Sequence, residues 1–150
     1  MNLDMVPDLT MRGQDDPHGR VLRRRPPTVG QLAARVHALA ARPGDWWHRV
    51  TFDAAAPVRV PLGGADGTGL WLTVWPPGHR TGLHGHAGAV VSAVIVGELA
   101  EVTLASDGVA GRALRANRVR VHGGGHTHEL TNPGPSYAIT LHAGPSDDTA

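Results

Sequence analysis

The residues best suited to chemistry in this sequence are two histidines separated by one glycine, His84-Gly85-His86. In a β-strand, successive side chains alternate between faces, so His84 and His86 are expected to point to the same side. At a rise of about 3.3 Å per residue the two imidazoles lie about 7 Å apart, close enough to converge on one metal ion. Taken alone, such a pair is also common among ordinary surface histidines.

A second stretch containing histidine follows at residues 123–132, GGGHTHELTN. Together the two stretches resemble the paired motifs of the cupin superfamily. The first motif is matched by two glycines and two histidines, Gly78, His84, His86 and Gly97. The second is matched by Gly125, His128 and Asn132. The resemblance implies an all-β fold, the cupin double-stranded β-helix (a jelly-roll barrel), with His84, His86 and His128 holding a metal in its mouth.

Other histidines near the second motif are weaker candidates. His126 and His128 also form a His-x-His pair, but the cupin motif supplies one ligand here, and the spacing to Asn132 selects His128. His122 and His126 flank a glycine run and are expected to be residues of the mouth or of a loop. Asn132 is expected to stabilise the turn after His128.

The first cupin motif normally carries a glutamate at the position of Val90 or Val91, and neither valine can bind a metal. The expected site therefore has three histidines and no carboxylate. Among cupins this set resembles the thiol dioxygenases, that is, the cysteine dioxygenase family and its bacterial relatives. The resemblance extends to residues 70–78, 97–101 and 140–143, and it covers about residues 46–146.

This resemblance implies a non-haem iron enzyme that oxidises a small, cysteine-like thiol with O₂ to its sulfinic acid. The expected partners are therefore a small thiol and O₂. Three neutral imidazoles leave the charge of a divalent ion uncompensated, which favours an anionic ligand such as a thiolate. Imidazole suits iron, zinc, copper and nickel alike. Fe(II) is expected from the resemblance, and Zn or Ni in another cupin enzyme that uses a metal-bound water is an alternative.

A small amino-acid thiol also needs its carboxylate held, and the planar fork of arginine matches a carboxylate. In the cysteine-specific members of the family such an arginine lies on an early strand, and Arg59 falls at that place. Its alternative role is that of an exposed strand arginine, and Arg80 is the second candidate for the clamp. His79 stands where other bacterial members carry a glutamine, so it is expected either to hydrogen-bond the substrate or to lie at the rim.

The family also has a Ser-x-His-x-Tyr run on its last strand, with the tyrosine hydroxyl pointing at the substrate. Here Thr140 and His142 match the first two residues and Gly144 replaces the tyrosine. His142 is expected to polarise a bound ligand or to be a hydrogen-bonded core histidine. The missing hydroxyl leaves a second function open, that of a metal-binding cupin without oxygenase turnover, serving as a binding or sensor protein.

The elements that must position these residues are one helix and a series of short strands. Thr28 and Gln31 have the spacing of a capping box, and Leu32, Val36 and Leu39 recur at helical spacing. The helix is predicted to end before Pro43 and to pack on the outside of a barrel. Apolar runs between turn residues predict strands at residues 49–52, 58–62, 70–75, 90–96, 99–104, 118–121 and 137–143. Such closely spaced short strands favour an antiparallel barrel or sandwich.

Composition limits the remaining possibilities. The chain has 150 residues and a formal charge of +1, which favours neither nucleic acid nor a membrane surface as a partner. It contains no cysteine, which excludes disulfides and thiolate ligands. No apolar run is long enough for a membrane span or a secretory leader, so a cytoplasmic location is expected. We predict a flexible arm at residues 1–27, a cupin domain at 28–146 and a tail at 147–150, in a monomer or homodimer.

Overall fold

The computed structural model describes residues 25–65 and 67–146. Most of the predicted arm, residues 1–24, and the predicted tail at 147–150 lie outside the described residues. The predicted helix, α1, spans Val29–Ala40. The Thr28 hydroxyl accepts a hydrogen bond from the backbone of Gln31, and the Gln31 side chain accepts one from the backbone of Thr28. This capping box satisfies backbone donors that a helix N-terminus otherwise leaves without partners.

Eight strands follow α1 in the described part of the chain. They are β1 Val58–Ala65, β2 Thr68–Trp75, β3 Val90–Val96, β4 Glu98–Ala105, β5 Gly108–Arg115, β6 Val119–His122, β7 Thr127–Thr131 and β8 Ala138–Pro145. Five of them form one sheet in the order β1-β2-β8-β3-β6, and the other three form a second sheet in the order β5-β4-β7. The pairings between these strands are antiparallel, as predicted.

The strand predicted at residues 49–52 does not form. Residues Trp47–Arg49 make a short 3₁₀ turn instead, and residues 50–53 have no regular structure. The cause lies just before them, where the buried Trp46 donates its Nε1–H to the Leu39 carbonyl at 2.8 Å and ties the chain to the end of α1. The residues predicted as a strand therefore belong to, or directly follow, the turn by which Trp46 attaches the chain to α1.

Two strands were not predicted from the sequence. β5 is rich in glycine and alanine, and its residues are almost all exposed, so it lacks the alternation that marks a half-buried strand. β7 is short and reads Thr-His-Glu-Leu-Thr, with only alternate residues buried. Both strands form because β4 lies between them and supplies the hydrogen-bond partners of both.

The central strands of the larger sheet have two different faces. On one face, Leu72, Val91 and Leu141 join the core cluster with Leu32 and Val36 of α1. On the other face, residues of β2 and β8 line a cavity between the two sheets. Because side chains alternate along each strand, the same three strands build both the core and the site. No helix among residues 25–65 and 67–146 is long and apolar enough to span a membrane.

Candidate metal centre

Three histidines converge between the two sheets. One ring nitrogen from each of His84, His86 and His128 lies within 4.8 Å of the others. The Nε2 atoms of His86 and His128 face each other at 2.9 Å. The ring centroids of His84 and His128 are 4.5 Å apart, and those of His84 and His86 are 5.2 Å apart. The structure therefore brings together the three residues that the sequence selects as metal ligands.

The path that brings His84 into the site differs from the predicted one. Residues 81–89 form a loop rather than a strand, and His84 makes a single β-bridge to His128. Each of these two residues donates its backbone N–H to the carbonyl of the other at 2.9 Å. Gly82 adopts a left-handed φ of 75° just before this bridge, a conformation that glycine accepts at no steric cost and that turns the chain here. Convergence thus comes from pairing across the barrel rather than from alternation along one strand.

The acceptors that face His84 Nδ1 and His128 Nδ1 indicate which ring nitrogens carry protons. His84 Nδ1 lies 3.1 Å from the Gly82 carbonyl, which can only accept, so Nδ1 carries the proton and Nε2 the lone pair. His128 Nδ1 faces a carboxylate oxygen of Glu101 at 3.7 Å, and a carboxylate also only accepts. Its Nε2 therefore carries the lone pair that faces His86. Ring nitrogens that carry lone pairs in this way are suitable ligands for a divalent transition metal.

The glutamate position of the first motif points into the same cavity. Val90 lines the cavity, whereas Val91 belongs to the core cluster beside α1. The carboxylate absent from this sequence would thus have occupied the position of Val90. Directly across the strand pair from Val90 lies His122, whose side chain is buried and lines the cavity. His122 was predicted to lie in the mouth or in a loop. It is the last residue of β6, and it contributes a fourth imidazole to the cavity.

A carboxylate that the sequence analysis missed lies behind the histidines. Glu101 on β4 is 1% exposed, and it forms with His122 and His128 a second group able to hold a metal ion. Its Oε1 accepts hydrogen bonds from Arg120 at 2.8 Å and from Thr103 at 2.9 Å. Burial alone would raise the pKa of Glu101, but contacts from His128, Arg120 and Thr103 outweigh it and hold that pKa well below its usual range. The carboxylate is therefore ionised.

The cavity beside the histidines has a volume of about 360 Å³. Its walls are mainly aromatic and imidazole rings, and the residues that line it include Arg59, Trp71, Thr73, Trp75, His79, Val90, Leu130 and His142. Arg59 is exposed as a whole, but its guanidinium carbon lies 4.2 Å from the centroid of the Trp71 ring. Arg80, the second candidate for the substrate clamp, is turned away, since its side chain is 69% exposed and pairs with Glu129 at 3.2 Å.

A hydrogen-bonded chain fixes His142 at the cavity wall. Trp75 Nε1–H donates to the Thr140 hydroxyl at 2.8 Å, and that hydroxyl lies 2.6 Å from His142 Nε2. Because the indole N–H takes only an acceptor site of the hydroxyl, the Thr140 proton is free to be donated to His142 Nε2, which would place the His142 proton on Nδ1. Burial lowers the pKa of His142 to about 3, so the ring is neutral. It stacks on Trp71 with 5.2 Å between centroids.

The position of the missing tyrosine is closed. A Cβ atom at Gly144 would lie 2.9 Å from Val90 Cγ2 and 3.3 Å from Trp71 Cη2. Tyr137, the only tyrosine in the sequence, packs edge-on against Phe52 and is not among the residues that line the cavity. The Asn132 side chain stabilises the turn after His128, since it donates to the Ser136 carbonyl and accepts from the Gly134 backbone N–H. It also donates to the Trp75 carbonyl at the end of β2, and His126 is exposed.

Comparisons with known proteins agree with this architecture. No curated protein sequence matches the chain. A solved oxalate oxidase structure is 19% identical with a TM-score of 0.56, and the match covers 63% of this chain but only 55% of the oxalate oxidase chain. A double-stranded β-helix protein from Klebsiella pneumoniae is 20% identical with a TM-score of 0.56, covering 67% of this chain and 86% of that one. A cupin superfamily protein from Desulfitobacterium hafniense is 15% identical with a TM-score of 0.53, covering 65% and 84%.

These structural similarities establish the fold, which is the cupin double-stranded β-helix. The family assignment comes from a separate comparison at the level of sequence. The family model for cysteine dioxygenase type I matches residues 20–144, which is most of the chain. The chain therefore belongs to the cysteine dioxygenase type I family.

Proposed function

We propose that this protein is an iron-dependent thiol dioxygenase that converts a small thiol to its sulfinic acid. The observation that carries the proposal is the convergence of His84, His86 and His128 in a cavity that also contains a guanidinium group. In the reaction R–SH + O₂ → R–SO₂H, both oxygen atoms are transferred to sulfur. Sulfur loses four electrons and O₂ accepts them, so no further reductant is needed.

The three histidines would hold Fe(II) through ring nitrogens. When bound, the iron supplies the activation of O₂ and lowers the pKa of a coordinated thiol. The protein contributes the geometry. His84 and His128 are locked together by their paired backbone hydrogen bonds, so two of the three donors move as one unit. Holding both reactants at one centre makes their encounter effectively intramolecular.

Arg59 is the proposed anchor for the carboxylate of the thiol substrate. Its guanidinium lies over Trp71, whose other face is covered by His142, because β1 and β8 flank β2 on opposite sides. A guanidinium held in this way can offer two N–H groups to a carboxylate. His79 lies near Trp75 at the same cavity, with 6.3 Å between ring centroids, and is proposed to contact the substrate at the rim.

His142 is the proposed hydrogen-bond donor to the bound substrate. Its Nε2 is engaged by Thr140, which leaves Nδ1–H as the donating group. Its neutral state at physiological pH means that it donates a hydrogen bond without adding a positive charge to a cationic centre. Thr140 acts on the substrate only through His142 and is therefore a positioning residue.

The closed position at Gly144 favours a second candidate function. Without a tyrosine hydroxyl, the same three-histidine site and cavity would serve a metal-binding cupin that binds a small molecule without oxidising it. Both candidates require metal at His84, His86 and His128, and they differ only in turnover. Zn or Ni in the purified protein would instead favour a third class, a cupin enzyme that uses a metal-bound water.

Oxygen uptake by the iron-loaded protein tests the proposal. The protein is offered cysteine, 3-mercaptopropionate, cysteamine and larger thiols, and sulfinate is measured as product. We expect uptake coupled to sulfinate formation with at least one small thiol, and loss of iron retention in His84→Ala and His128→Ala. Exposed His126→Ala is the matched control and should retain iron. No uptake by protein with one iron per chain would overturn the dioxygenase and favour the binding protein.

A further inference from the structure

We propose that Glu101 is a positioning residue for the metal centre, because one of its carboxylate oxygens holds His128 with its proton on Nδ1 and its Nε2 directed at the metal. The proposal rests on the metal-binding part of the proposed function and not on thiol oxidation. It places a carboxylate behind a ligand in a site whose usual glutamate position is occupied by Val90.

Glu101 is anchored from one side by Arg120 and Thr103. Arg120 donates to Oε1 at 2.8 Å from Nη2, and its Nε is shared between Oε1 at 3.2 Å and Oε2 at 3.4 Å. The Thr103 hydroxyl donates to Oε1 at 2.9 Å. Oε1 is thus occupied by donors from two residues. Oε2 is the oxygen turned to the histidines, 3.4 Å from His122 Nδ1 and 3.7 Å from His128 Nδ1.

Strand register places Glu101 behind His128. β4 pairs with β7 so that Glu101 lies opposite Leu130 and Thr103 lies opposite His128. Residues two apart on one strand share a face, so Glu101, Thr103, His128 and Leu130 point to the same side of the sheet. Glu101 is thus a diagonal cross-strand neighbour of His128, a position from which a long side chain can reach.

His128 has a buried ring nitrogen that lacks a hydrogen-bond partner. The side chain is 3% exposed, and its Nδ1 is a buried atom without a hydrogen-bond partner within normal distance. A metal on Nε2 requires the proton to stay on Nδ1, and a buried N–H with no acceptor costs about 1–3 kcal/mol. The acceptor facing it is Glu101 Oε2, and a ring movement of a few tenths of an ångström would shorten 3.7 Å to a hydrogen bond.

His122 helps to hold the same oxygen in place. Its Nε2 lies 3.1 Å from the Ser92 hydroxyl, and its Nδ1 lies 3.4 Å from Glu101 Oε2. If Ser92 donates to Nε2, the His122 proton lies on Nδ1 and points at the carboxylate. Oε2 would then face the Nδ1–H groups of two histidines. This accounts for a buried His122 that the three-histidine set does not use.

Glu101, His122 and His128 form a group that could hold a second metal ion, and Arg120 argues against that use. The guanidinium is bound to the same carboxylate and already neutralises it, so a divalent cation on Oε2 would be brought close to a fixed positive charge. The positioning role requires no added charge. Carboxylate partners of ligand histidines typically change metal affinity by about 10–100-fold.

The test is the affinity of the full-length protein for Zn(II) and Co(II), measured by competition with a chelator, together with the Co(II) absorption spectrum. Glu101→Gln keeps the shape but can turn an N–H group towards His128 Nδ1–H. We expect about 10–100-fold weaker binding and a shifted Co(II) spectrum. Glu98→Gln, at an exposed glutamate on the same strand, is the matched control, and it should leave affinity within about threefold. An unchanged affinity in Glu101→Gln overturns the proposal.

Glu101→Gln removes the charge partner of Arg120, and the variant could fail to fold for that reason. A measurement on the unmodified protein covers this case. In the Zn(II)-loaded protein, ¹⁵N NMR of the histidine rings should show His128 bound through Nε2 with a slowly exchanging proton on Nδ1. Metal on Nδ1, or two Zn(II) per chain, would overturn the positioning role and make Glu101 a ligand. These outcomes do not depend on O₂ or thiol turnover, so they are separate from a failure of the dioxygenase proposal.

Discussion

At the scale of single residues, Arg59 shows how a surface side chain can serve a buried site. It is exposed, yet its guanidinium rests on the ring of Trp71 at the wall of the cavity. A cation over an aromatic face at an exposed site gains about 0.5–1 kcal/mol, which restricts the side chain without burying its charge. The guanidinium is thereby held at the cavity wall, where we propose that it binds the carboxylate of the substrate.

The change Arg59→Ala tests this role. We expect KM for carboxylate-bearing thiols to rise about tenfold or more, because a hydrogen bond to a charged group contributes about 1.5 kcal/mol or more. Cysteamine, which has no carboxylate, should be unaffected. Arg80→Ala is the control, since that side chain pairs with Glu129 away from the cavity. Steady-state kinetics with both thiols measure the effect, and an equal loss for cysteamine would contradict the carboxylate anchor.

At the scale of elements, β8 is the strand on which the site depends most. It lies between β2 and β3, and its residues Ala138–Gly144 are all buried. Along β8, residues that pack against the core beside α1 alternate with residues that face the cavity, and β2 and β3 flank the strand on its two edges. Gly144 therefore reflects a packing constraint as well as the absence of a hydroxyl group. The space that a side chain would need there is filled by Val90 and Trp71.

Gly144→Ala is therefore expected to destabilise the protein by about 1–3 kcal/mol, the usual range for overpacking a core. The added Cβ would lie 2.9 Å from Val90 Cγ2, so Val90→Ala in the same chain should restore much of the loss. Gly111→Ala on β5 is the matched control, because its Cβ would meet only the Glu101 carbonyl oxygen at 3.9 Å. Urea unfolding measures all three, and a stability equal to that of the unchanged protein would contradict the crowding.

At the scale of the whole molecule, the elements that can be predicted from the sequence are those whose formation depends on neighbouring residues in the chain. The capping box of α1 and the strand at 90–96 lie where predicted, because capping chemistry and continuous apolar runs are local signals. The three converging histidines are predicted because motif spacing encodes them. β5 escapes prediction because it is exposed along nearly its whole length and exists only through its pairing with β4.

The carboxylate behind the histidines could not be predicted for a similar reason. Glu101, His122 and His128 are on three different strands, and they meet only after β4 pairs with β7 and β6 pairs with β3. Nothing in their spacing marks them as a group. One signal was available. Glu101 lies on the strand directly after the first motif, two residues from the apolar Leu99, so the two side chains are expected to share the buried face of that strand.

Buried neutral histidines also make the stability of the whole molecule depend on pH. Burial is the largest cause that lowers the pKa of His142 and of His122 to about 3. In the unfolded chain these groups titrate near 6.5, so between pH 6.5 and 3 the unfolded state binds more protons than the folded state. Each histidine therefore contributes stability that is fully present above about pH 6.5 and is lost as the pH falls towards 3.

We expect the free energy of unfolding of the metal-free protein to decrease by up to about 1.4 kcal/mol per pH unit for each of the two histidines below pH 6.5. Glu101, whose pKa is held below its usual range, adds to the loss only below about pH 4.3. The measurement is urea unfolding of metal-free protein between pH 7.5 and 4.5. His142→Asn should reduce the slope, whereas His126→Asn, at an exposed position, should leave it unchanged. A pH-independent stability over this range would mean that these histidines are not buried in their neutral form.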